Sequence, residues 1–392
     1  MEKMMKVSMG VVIVFLLTLL VGCIKKGEEG ICTEGRYEEP NLAFAGDSGK
    51  LEHSIIVPTL DSPVQKGSNV IWCGSFVMAW GQMVKDVVKE PIKMAQANEV
   101  AERLNKSEMS ADDLIKDSYY AAAGIAGQGI RAKIKKEMGE RFPGVQVPEI
   151  EARPLELIAY AYLTVALKFT TPYFDQQRMF TDEKGKETRV DGFGFSKRSS
   201  SVNKKLAKQI EVLYTSYKTK EEQEELEEYA LDLCRSSKEC QIIVASVEWQ
   251  ETMEKMVTSL LTKIKGWEAR DWNREFRITD ELFVPNINYE LSHNFIELIG
   301  VDKRLLNKGF EGYYIVEAWQ RIRFKLDKSG ALMASDSGIR AACTPREFLF
   351  NKPFLVIMRK RGGEKPFFVM WVDNAELLCK AGQGSGDMER RR

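Results

Sequence analysis

The side chains best suited to chemistry in this sequence are seven cysteines and two histidines. With only His53 and His293 present, a histidine-rich zinc centre or a binuclear histidine site is nearly excluded. Cys234 and Cys240 flank a short connection at 235–239, where they could form a cross-strand disulfide or stay reduced. Six cysteines follow Cys23. Since six cysteines allow 15 pairings, their spacing alone selects none of them.

The sequence around Cys73 is the one place that suggests a nucleophile. The run Trp-Cys-Gly-Ser-Phe at 72–76 is partly similar to the signature of papain-like proteases, but Phe76 stands where their catalytic cysteine would be. His293 also lies further downstream than that spacing allows. The glycines at 124–129 miss the dinucleotide-binding fingerprint, and no nucleophile elbow, zinc-protease motif or phosphate loop is present. We therefore expect no enzyme, no cofactor and no metal.

The N-terminus predicts export from the cytoplasm. Lys3 and Lys6 precede an almost wholly apolar run at 10–22 that is too short to span a bilayer of about 30 Å. The run ends in Leu-Val-Gly-Cys at 20–23, which resembles the lipobox of prokaryotic lipoproteins, in which the cysteine is acylated. A simple signal peptide or membrane anchor with an incidental Cys23 is the alternative. Lipidation of Cys23 would place the mature protein outside the cytoplasm, anchored to the cell membrane.

Composition limits the remaining functions. The 392 residues are 44% hydrophobic and 29% charged, which is typical of a folded chain with a substantial core. Lysine plus arginine equals aspartate plus glutamate, at 57 each, so nothing favours nucleic acid as a partner. We expect a signal peptide at 1–22, a tether and irregular lead-in at 23–68, one domain at 69–380 and a disordered tail at 381–392.

Hydrophobic periodicity gives the elements of this domain. Helical patterns occupy 76–89, 91–105, 111–138 and 252–264. The apolar run at 155–169 predicts a central strand buried on both faces, and 177–188 predicts a hairpin turning at 182–185. The acidic segment 221–229 predicts a solvated face or loop. Further strands are predicted at 231–234, 241–247, 283–288, 312–319, 322–326, 348–350, 354–358 and 367–372. Helices early and strands late indicate an α+β fold.

Several segments, taken in order, resemble the serpin family. The run Asn-Lys-Pro-Phe at 351–354 resembles the start of the strand that follows the reactive loop, and 366–372 resembles the last strand. Residues 284–301, 155–180 and 69–72 resemble further strands of the family's core. The resemblance covers about 300 residues. It implies helices packed on a large mixed β-sheet, with smaller sheets and an exposed reactive-centre loop.

The chain departs from the family pattern at several positions. The family's first helix is not evident before residue 69. Cys73 replaces the usual core serine, and Phe169 replaces the usual tryptophan at the top of the central strand. Aligned on Gly330, Gln320 replaces a core histidine and Lys328 replaces the hinge glutamate.

The resemblance places the reactive-loop hinge at Lys328, Gly330 and Ala331. Serpins trap proteases when the cleaved loop enters the main sheet as a new strand, which requires a proline-free stretch of alternating character. Such a stretch runs from Gly330 until Pro345. In a strand, every second residue would share one face, here called a parity. The parity able to face the core contains Ala331, Met333, Ser335, Ser337, Ile339 and Ala341. The other, able to face water, holds Leu332, Ala334, Asp336, Gly338, Arg340 and Ala342.

The scissile bond has three candidate positions. Strict counting gives the bond between Thr344 and Pro345, but a proline after the cut obstructs serine proteases. The bond between Cys343 and Thr344 is therefore preferred. Arg340 would suit a trypsin-like protease but leaves only about ten residues to insert. Leu332 and Met333 are bulky for a segment that must insert quickly, and a plain surface loop with chance alternation remains an alternative.

These observations predict a membrane-anchored, monomeric serpin-like inhibitor of an extracytoplasmic serine or cysteine protease. Its partners would be that protease and the membrane, reached through lipid on Cys23, with no nucleic acid. One alternative is a non-inhibitory serpin-fold lipoprotein that binds a ligand or partner. Another is an unrelated surface lipoprotein with a scaffold role.

Overall fold

The computed structural model describes residues 42–96, 98–149, 151–166, 169–195, 201–220, 223–267, 274–329 and 346–382. The helices are α1 (Gly74–Gln82, continued by a π-helical turn over Met83–Val88), α2 (Glu99–Lys106), α3 (Ile130–Arg141), α4 (Ser201–Gln209) and α5 (Met253–Trp267). The strands are β1 (Phe44–Asp47), β2 (Ser54–Val57), β3 (Asn69–Cys73), β4 (Tyr119–Ile125), β5 (Glu156–Ala166), β6 (Phe174–Thr181), β7 (Glu187–Phe195), β8 (Glu211–Lys220), β9 (Gln223–Asp232), β10 (Cys240–Ser246), β11 (Glu281–Pro285), β12 (Ile287–Asn294), β13 (Tyr314–Leu326), β14 (Glu347–Leu349), β15 (Phe354–Lys360) and β16 (Pro366–Val372).

The structural feature most relevant to function is a five-stranded sheet with the order β1-β12-β13-β5-β4, called the main sheet below. Its central strands, β5 and β13, are long. β5 is buried from Glu156 to Val165, and β13 is buried at nearly alternate residues, so both strands suit the middle of the sheet. β13 pairs antiparallel with β12 but parallel with β5. The sheet is therefore mixed.

Two further sheets complete the fold. A seven-stranded sheet has the order β2-β3-β16-β15-β10-β9-β8, and a four-stranded sheet has the order β14-β11-β7-β6. α1 contacts β4 and β5 of the main sheet as well as β16 of the seven-stranded sheet. Its buried Phe76, Trp80 and Met83 recur at helical spacing and join one large hydrophobic core.

The main sheet has a second, smaller hydrophobic layer formed with α3. Ile130, Ile134 and Met138 of α3 pack with Tyr120 of β4 and Tyr160 of β5. These side chains form a cluster separate from the large core. The main sheet is thus covered by apolar side chains on both faces where β4 and β5 lie.

Several predicted elements are confirmed, among them the central strand at β5, the β6–β7 hairpin, helix α5 and the closing strands β15 and β16. The two strands predicted at 312–319 and 322–326 are one continuous strand, β13, which begins at Tyr314. Residues 91–96 and residue 98 precede α2 and are not helical. Among the described residues, no helix combines the length and apolar character needed to cross a membrane.

The prediction of a helix over 111–138 is wrong in its first half. Residues 119–125 form β4, whose alanines alternate in burial and pair with β5. Pairing along the edge of the main sheet outweighs the helical propensity of an alanine-rich segment. Gly127 then lets the chain turn closely, since a Cβ there would lie 2.8 Å from the carbonyl oxygen of Pro154.

Two other predictions need correction. For the acidic segment at 221–229 the loop alternative is wrong, because residues 223–229 belong to β9, which lies between β8 and β10; the exposed Glu225 and Glu227 fit the other alternative, a solvated face. The lead-in at 23–68 is not irregular throughout. Residues 44–47 form β1 and add a parallel strand to β12, and residues 54–57 form β2 beside β3.

Candidate functional site

The candidate site is the seam between β5 and β13, the two central strands of the main sheet. Their residues pair directly from Glu156 with Tyr314 to Ala166 with Lys325. The chain leaves the seam after β13, and residues 330–345 lie outside the described part of the structure. The described chain resumes at Arg346 and continues as β14, which pairs with β11 in the four-stranded sheet.

The direction of these strands determines what the seam can accept. β5 and β13 run the same way, so a segment that turned back after β13 would run antiparallel to both. Antiparallel pairing is slightly more stable per residue than parallel pairing. Insertion would also replace one ladder of hydrogen bonds with two. The seam is thus a place where an added strand gains partners on both sides.

The end of the seam that follows Leu326 of β13, called the hinge end below after the predicted hinge, is closed by local contacts. The Phe169 amide donates to the carbonyl oxygen of Ser329 at 2.9 Å, and the Tyr173 amide donates to that of Lys328 at 3.3 Å. Lys328 Nζ also pairs with a carboxylate oxygen of Asp175, the second residue of β6. Both side chains are largely exposed, so the pair contributes little stability. An inserting strand must first break these contacts.

The middle of the seam is fixed from the core side by Gln320 of β13. Its Nε2 donates to the carbonyl oxygen of Cys73 at 3.2 Å and to Ser75 Oγ at 3.1 Å, at the start of α1. Cys73 Sγ lies 3.1 Å from Ser75 Oγ, and burial raises the pKa of this thiol to about 11. A thiol that stays protonated at neutral pH is a poor nucleophile. Cys73 is therefore a core residue next to the seam.

The opposite face of the seam carries an aromatic pair. Tyr160 of β5 and Trp319 of β13 are register partners whose rings stack with their centroids 5.2 Å apart. Both rings pack in the layer formed with α3. Since neighbouring strands are about 4.8 Å apart, a strand inserted between them would separate the two rings.

A buried ion pair anchors the chain where it returns from the undescribed segment. Arg346 is 8% exposed and Asp280 is fully buried, and Arg346 Nη2 lies 2.6 Å from Asp280 Oδ2. The same guanidinium donates to the carbonyl oxygen of Glu275 at 2.6 Å. The Arg346 amide donates to Asp280 Oδ1 at 3.1 Å. Sequence analysis missed this pair, and its one signal was a charged residue directly after Pro345, shortly before the apolar run at 348–350.

The predicted site residues are only partly placed. Lys328 lies at the hinge end of the seam, as described above. The other predicted residues, Gly330, Ala331, Arg340, Cys343, Thr344, Pro345 and Cys23, lie outside the described residues. The hinge, scissile-bond and lipidation assignments for these residues stay predictions.

Cys234 and Cys240 occupy the predicted connection between two strands but are free, buried thiols. Cys234 Sγ donates to the carbonyl oxygen of Cys240 at 3.4 Å. Arg361 also holds the connection closed, because its guanidinium donates to the carbonyl oxygens of both cysteines and pairs with the buried Asp232 at 2.5 Å. Burial raises the pKa of both thiols. The disulfide is not formed in this structure, and the connection is closed by other contacts.

Comparison with known proteins gives structural neighbours only. No protein-family model matches the sequence, and no curated protein matches it. Among solved structures, mouse protein-Z dependent protease inhibitor is 15% identical, with 78% of this chain and 91% of that chain covered and a TM-score of 0.48. Native protease nexin-1, solved with heparin, is 9% identical, with 78% and 92% covered and a TM-score of 0.44. The described part of the chain has an α+β fold, with helices packed on three β-sheets.

Proposed function

We propose that this protein is a membrane-anchored inhibitor of an extracytoplasmic serine or cysteine protease that acts by loop insertion. One observation carries the proposal: two parallel strands, β5 and β13, pair directly, and β13 leads into a proline-free segment of alternating character. Such a segment can serve first as a substrate and then as a strand. The protein supplies no nucleophile, metal or cofactor to this reaction, and it acts as a monomer.

The chemical step belongs to the target protease. Its serine or cysteine attacks the carbonyl carbon of the scissile bond, and the peptide C–N bond breaks. The new amine leaves with a proton from the protease's general acid, and the upstream segment stays joined to the protease as an ester or thioester. Insertion of this segment into the seam then carries the protease away from the hinge. The scissile bond of the proposal lies between Cys343 and Thr344, with the Thr344–Pro345 bond and Arg340 as the other candidates.

The membrane anchor is a separate part of the proposal. Lipid on Cys23 would hold the folded domain near the membrane through the residues before β1. A Cys23→Ser variant should leave the membrane fraction of a bacterium that processes lipoproteins. Retention of the variant in that fraction would contradict lipid anchoring.

A protease panel tests inhibition directly. The purified domain is incubated with trypsin-like, chymotrypsin-like, subtilisin-like and papain-like proteases at equal molar ratio. We expect at least one adduct that survives boiling in detergent, with a mass equal to the protease plus this chain minus its C-terminal fragment. The same protease with a blocked nucleophile should form no adduct.

The main alternative is a serpin-fold lipoprotein that binds a partner or ligand without inhibiting a protease. It predicts clean cleavage between Ala331 and Pro345 with no adduct for every protease tried. The bulky Leu332 and Met333, which could slow insertion, favour this alternative. That outcome would overturn the inhibitory function while leaving the fold unaffected.

A further inference from the structure

The most exposed apolar side chains of the described chain lie at one end of the main sheet. Nine large hydrophobic side chains are exposed in this part of the chain, and only four of them are more than half exposed: Ile296 at 70%, Val301 at 66%, Leu155 at 59% and Leu306 at 57%. Leu155 directly precedes β5, and the other three lie in the loop that joins β12 to β13. All four therefore lie at the end of the main sheet where β5 and β13 begin, called the distal pole below.

The loop at the distal pole is held in place by its own contacts. Leu298 and Leu305 are buried beneath it. The Gly300 amide donates to the carbonyl oxygen of Ile315 at 3.1 Å, and the Leu305 amide donates to that of Tyr313 at 2.7 Å. The fold thus buries some apolar side chains of this loop while it presents others to solvent. Apolar side chains exposed together in this way mark an interaction surface.

The charges around the distal pole favour neither sign. Segments 151–156 and 296–311 contain four cations and five acids, namely Arg153, Lys303, Arg304 and Lys308 against Glu151, Glu156, Glu297, Asp302 and Glu311. Lys303 Nζ donates to the carbonyl oxygens of Ile296 and Ile299 at 3.2 and 2.9 Å. A surface without a basic excess does not attract anionic lipid or nucleic acid. Apolar contact is therefore the attraction that this surface offers.

A lipid surface fits these side chains better than a protein partner does. All four are aliphatic, whereas protein interfaces are enriched in tyrosine, tryptophan and arginine and involve about 20–30 residues on each side. The boundary of a bilayer accepts apolar side chains without demanding a matching shape or hydrogen bonds. A few aliphatic side chains at the end of a sheet are therefore enough to contact it.

The predicted lipid on Cys23 can reach the same bilayer. The 19 residues at 23–41 can span at most about 65 Å. β1 begins with Phe44 beside Tyr289, five residues before the end of β12 at the distal pole, which is a distance of about 17 Å. The greatest reach of the connecting residues exceeds this distance several times. Lipid and distal pole can thus contact one membrane together.

We propose that the distal pole docks on the lipid bilayer to which the chain is anchored, with the side chains of Ile296, Val301, Leu306 and Leu155 entering its apolar boundary. The cellular partner is the chain's own membrane, so the proposal rests on the lipid anchor proposed above. β13 extends from the distal pole to the hinge end over 13 residues, or about 40 Å. Docking therefore turns the hinge end of the seam away from the bilayer, toward proteases in solution.

The test measures vesicle binding of the chain from residue 23 onward, made as Cys23→Ser so that it carries no lipid. Phosphatidylcholine vesicles with and without phosphatidylglycerol are used in a flotation assay. We expect weak binding, below the roughly 10⁴ M⁻¹ of a single myristoyl chain, that is equal for both vesicle types and unchanged by salt. Because the lipid is absent, a failure of lipidation in cells would leave this result unaffected, and the two proposals can fail separately.

Paired variants locate the contact. Ile296→Ser/Val301→Ser should lower vesicle binding about tenfold or more, whereas Phe174→Ser/Met179→Ser, which removes two exposed apolar side chains of β6, should leave it unchanged. Val301→Trp should raise binding several-fold, because tryptophan favours the bilayer interface, and brominated lipid should quench the added fluorescence. Met179→Trp should show neither effect. All the substituted side chains are exposed, so thermal melts of the variants should match that of the parent.

Four outcomes would overturn the proposal. They are no binding of the unlipidated chain or of Val301→Trp at millimolar lipid, binding to anionic vesicles only, an equal loss in the two serine pairs, and a dimer in sedimentation that Ile296→Ser/Val301→Ser dissociates. The last result would mean that a second copy of the chain covers this surface. We expect sedimentation to show a monomer for the parent chain and for both serine pairs.

Discussion

Cleavage of the chain between Ala331 and Pro345 should raise the melting temperature by about 10 °C or more. The cut frees the segment after β13 to enter the seam, where it gains hydrogen bonds to both β5 and β13. At about 2.1 cal/mol/K of unfolding entropy per residue, each kcal/mol of added stability raises the melting temperature of a chain this large by about 1–2 °C, so the expected rise requires insertion to add several kcal/mol. The measurement is a thermal melt of intact and nicked protein, with the cut mapped by mass spectrometry. An unchanged melting temperature would contradict insertion.

Two neighbouring substitutions control for the face of the inserted strand. Ser335 belongs to the parity that can face the core, and Ala334 belongs to the parity that can face water. Ser335→Glu would bury a charge on insertion and should abolish most of the rise. Ala334→Glu adds the same charge toward solvent and should preserve it. Equal effects of the two variants would mean that the alternating pattern has no structural role.

Removing only Arg346 from the buried Arg346–Asp280 pair should lower the free energy of unfolding by about 3–5 kcal/mol. Arg346→Met leaves the fully buried Asp280 carboxylate without its cation. Strand β14 begins at the next residue and pairs with β11 over only three residues, so it should detach first. The measurements are urea unfolding and hydrogen exchange, with faster exchange expected at the amide of Phe350, which directly follows β14 and donates to the carbonyl oxygen of Phe283 in β11.

The matched controls for this pair use the same kind of substitution. Lys328→Met removes a largely exposed cation at the other end of the 330–345 segment, so its cost should stay below about 1 kcal/mol. The double variant Asp280→Asn/Arg346→Met removes both charges and should recover at least half of the loss. If Arg346→Met and Lys328→Met cost the same, Arg346 is not the anchor of the return strand.

The parts of the fold that could be predicted from sequence are those with a local signal. The apolar run at β5, the hairpin between β6 and β7, and the amphipathic helix α5 each carry their pattern within a few residues. β4 and β9 carry the opposite pattern, alanine-rich in one and acidic in the other. Both become strands because neighbouring strands lie beside them, and such neighbours are distant in sequence.

In the candidate site, too, local sequence patterns indicate some residues, whereas contacts between residues distant in sequence could not be predicted. Lys328 lies just after the end of β13, and its role as a hinge residue stays a prediction from the segment's resemblance to the family pattern. Its partner Asp175 lies 153 residues away, and the Asp280 partner of Arg346 lies 66 residues away. No spacing rule connects such pairs before the sheets are known. The contact of Gln320 with Cys73 and Ser75 depends likewise on the packing of β13 against α1.

The most direct test of the account is to lock the seam and repeat the cleavage experiment. Thr164 of β5 and Arg323 of β13 are register partners near the hinge end, so Thr164→Cys/Arg323→Cys can form a disulfide across the seam. Glu290→Cys/Arg323→Cys places the control disulfide across β12 and β13, which insertion leaves adjacent. Both are made with Cys343→Ser to avoid pairing with that cysteine. We predict that cleavage raises the melting temperature of the control variant. Cleavage of the seam variant should not raise its melting temperature until its disulfide is reduced. An equal gain in both oxidised variants would show that no strand enters between β5 and β13.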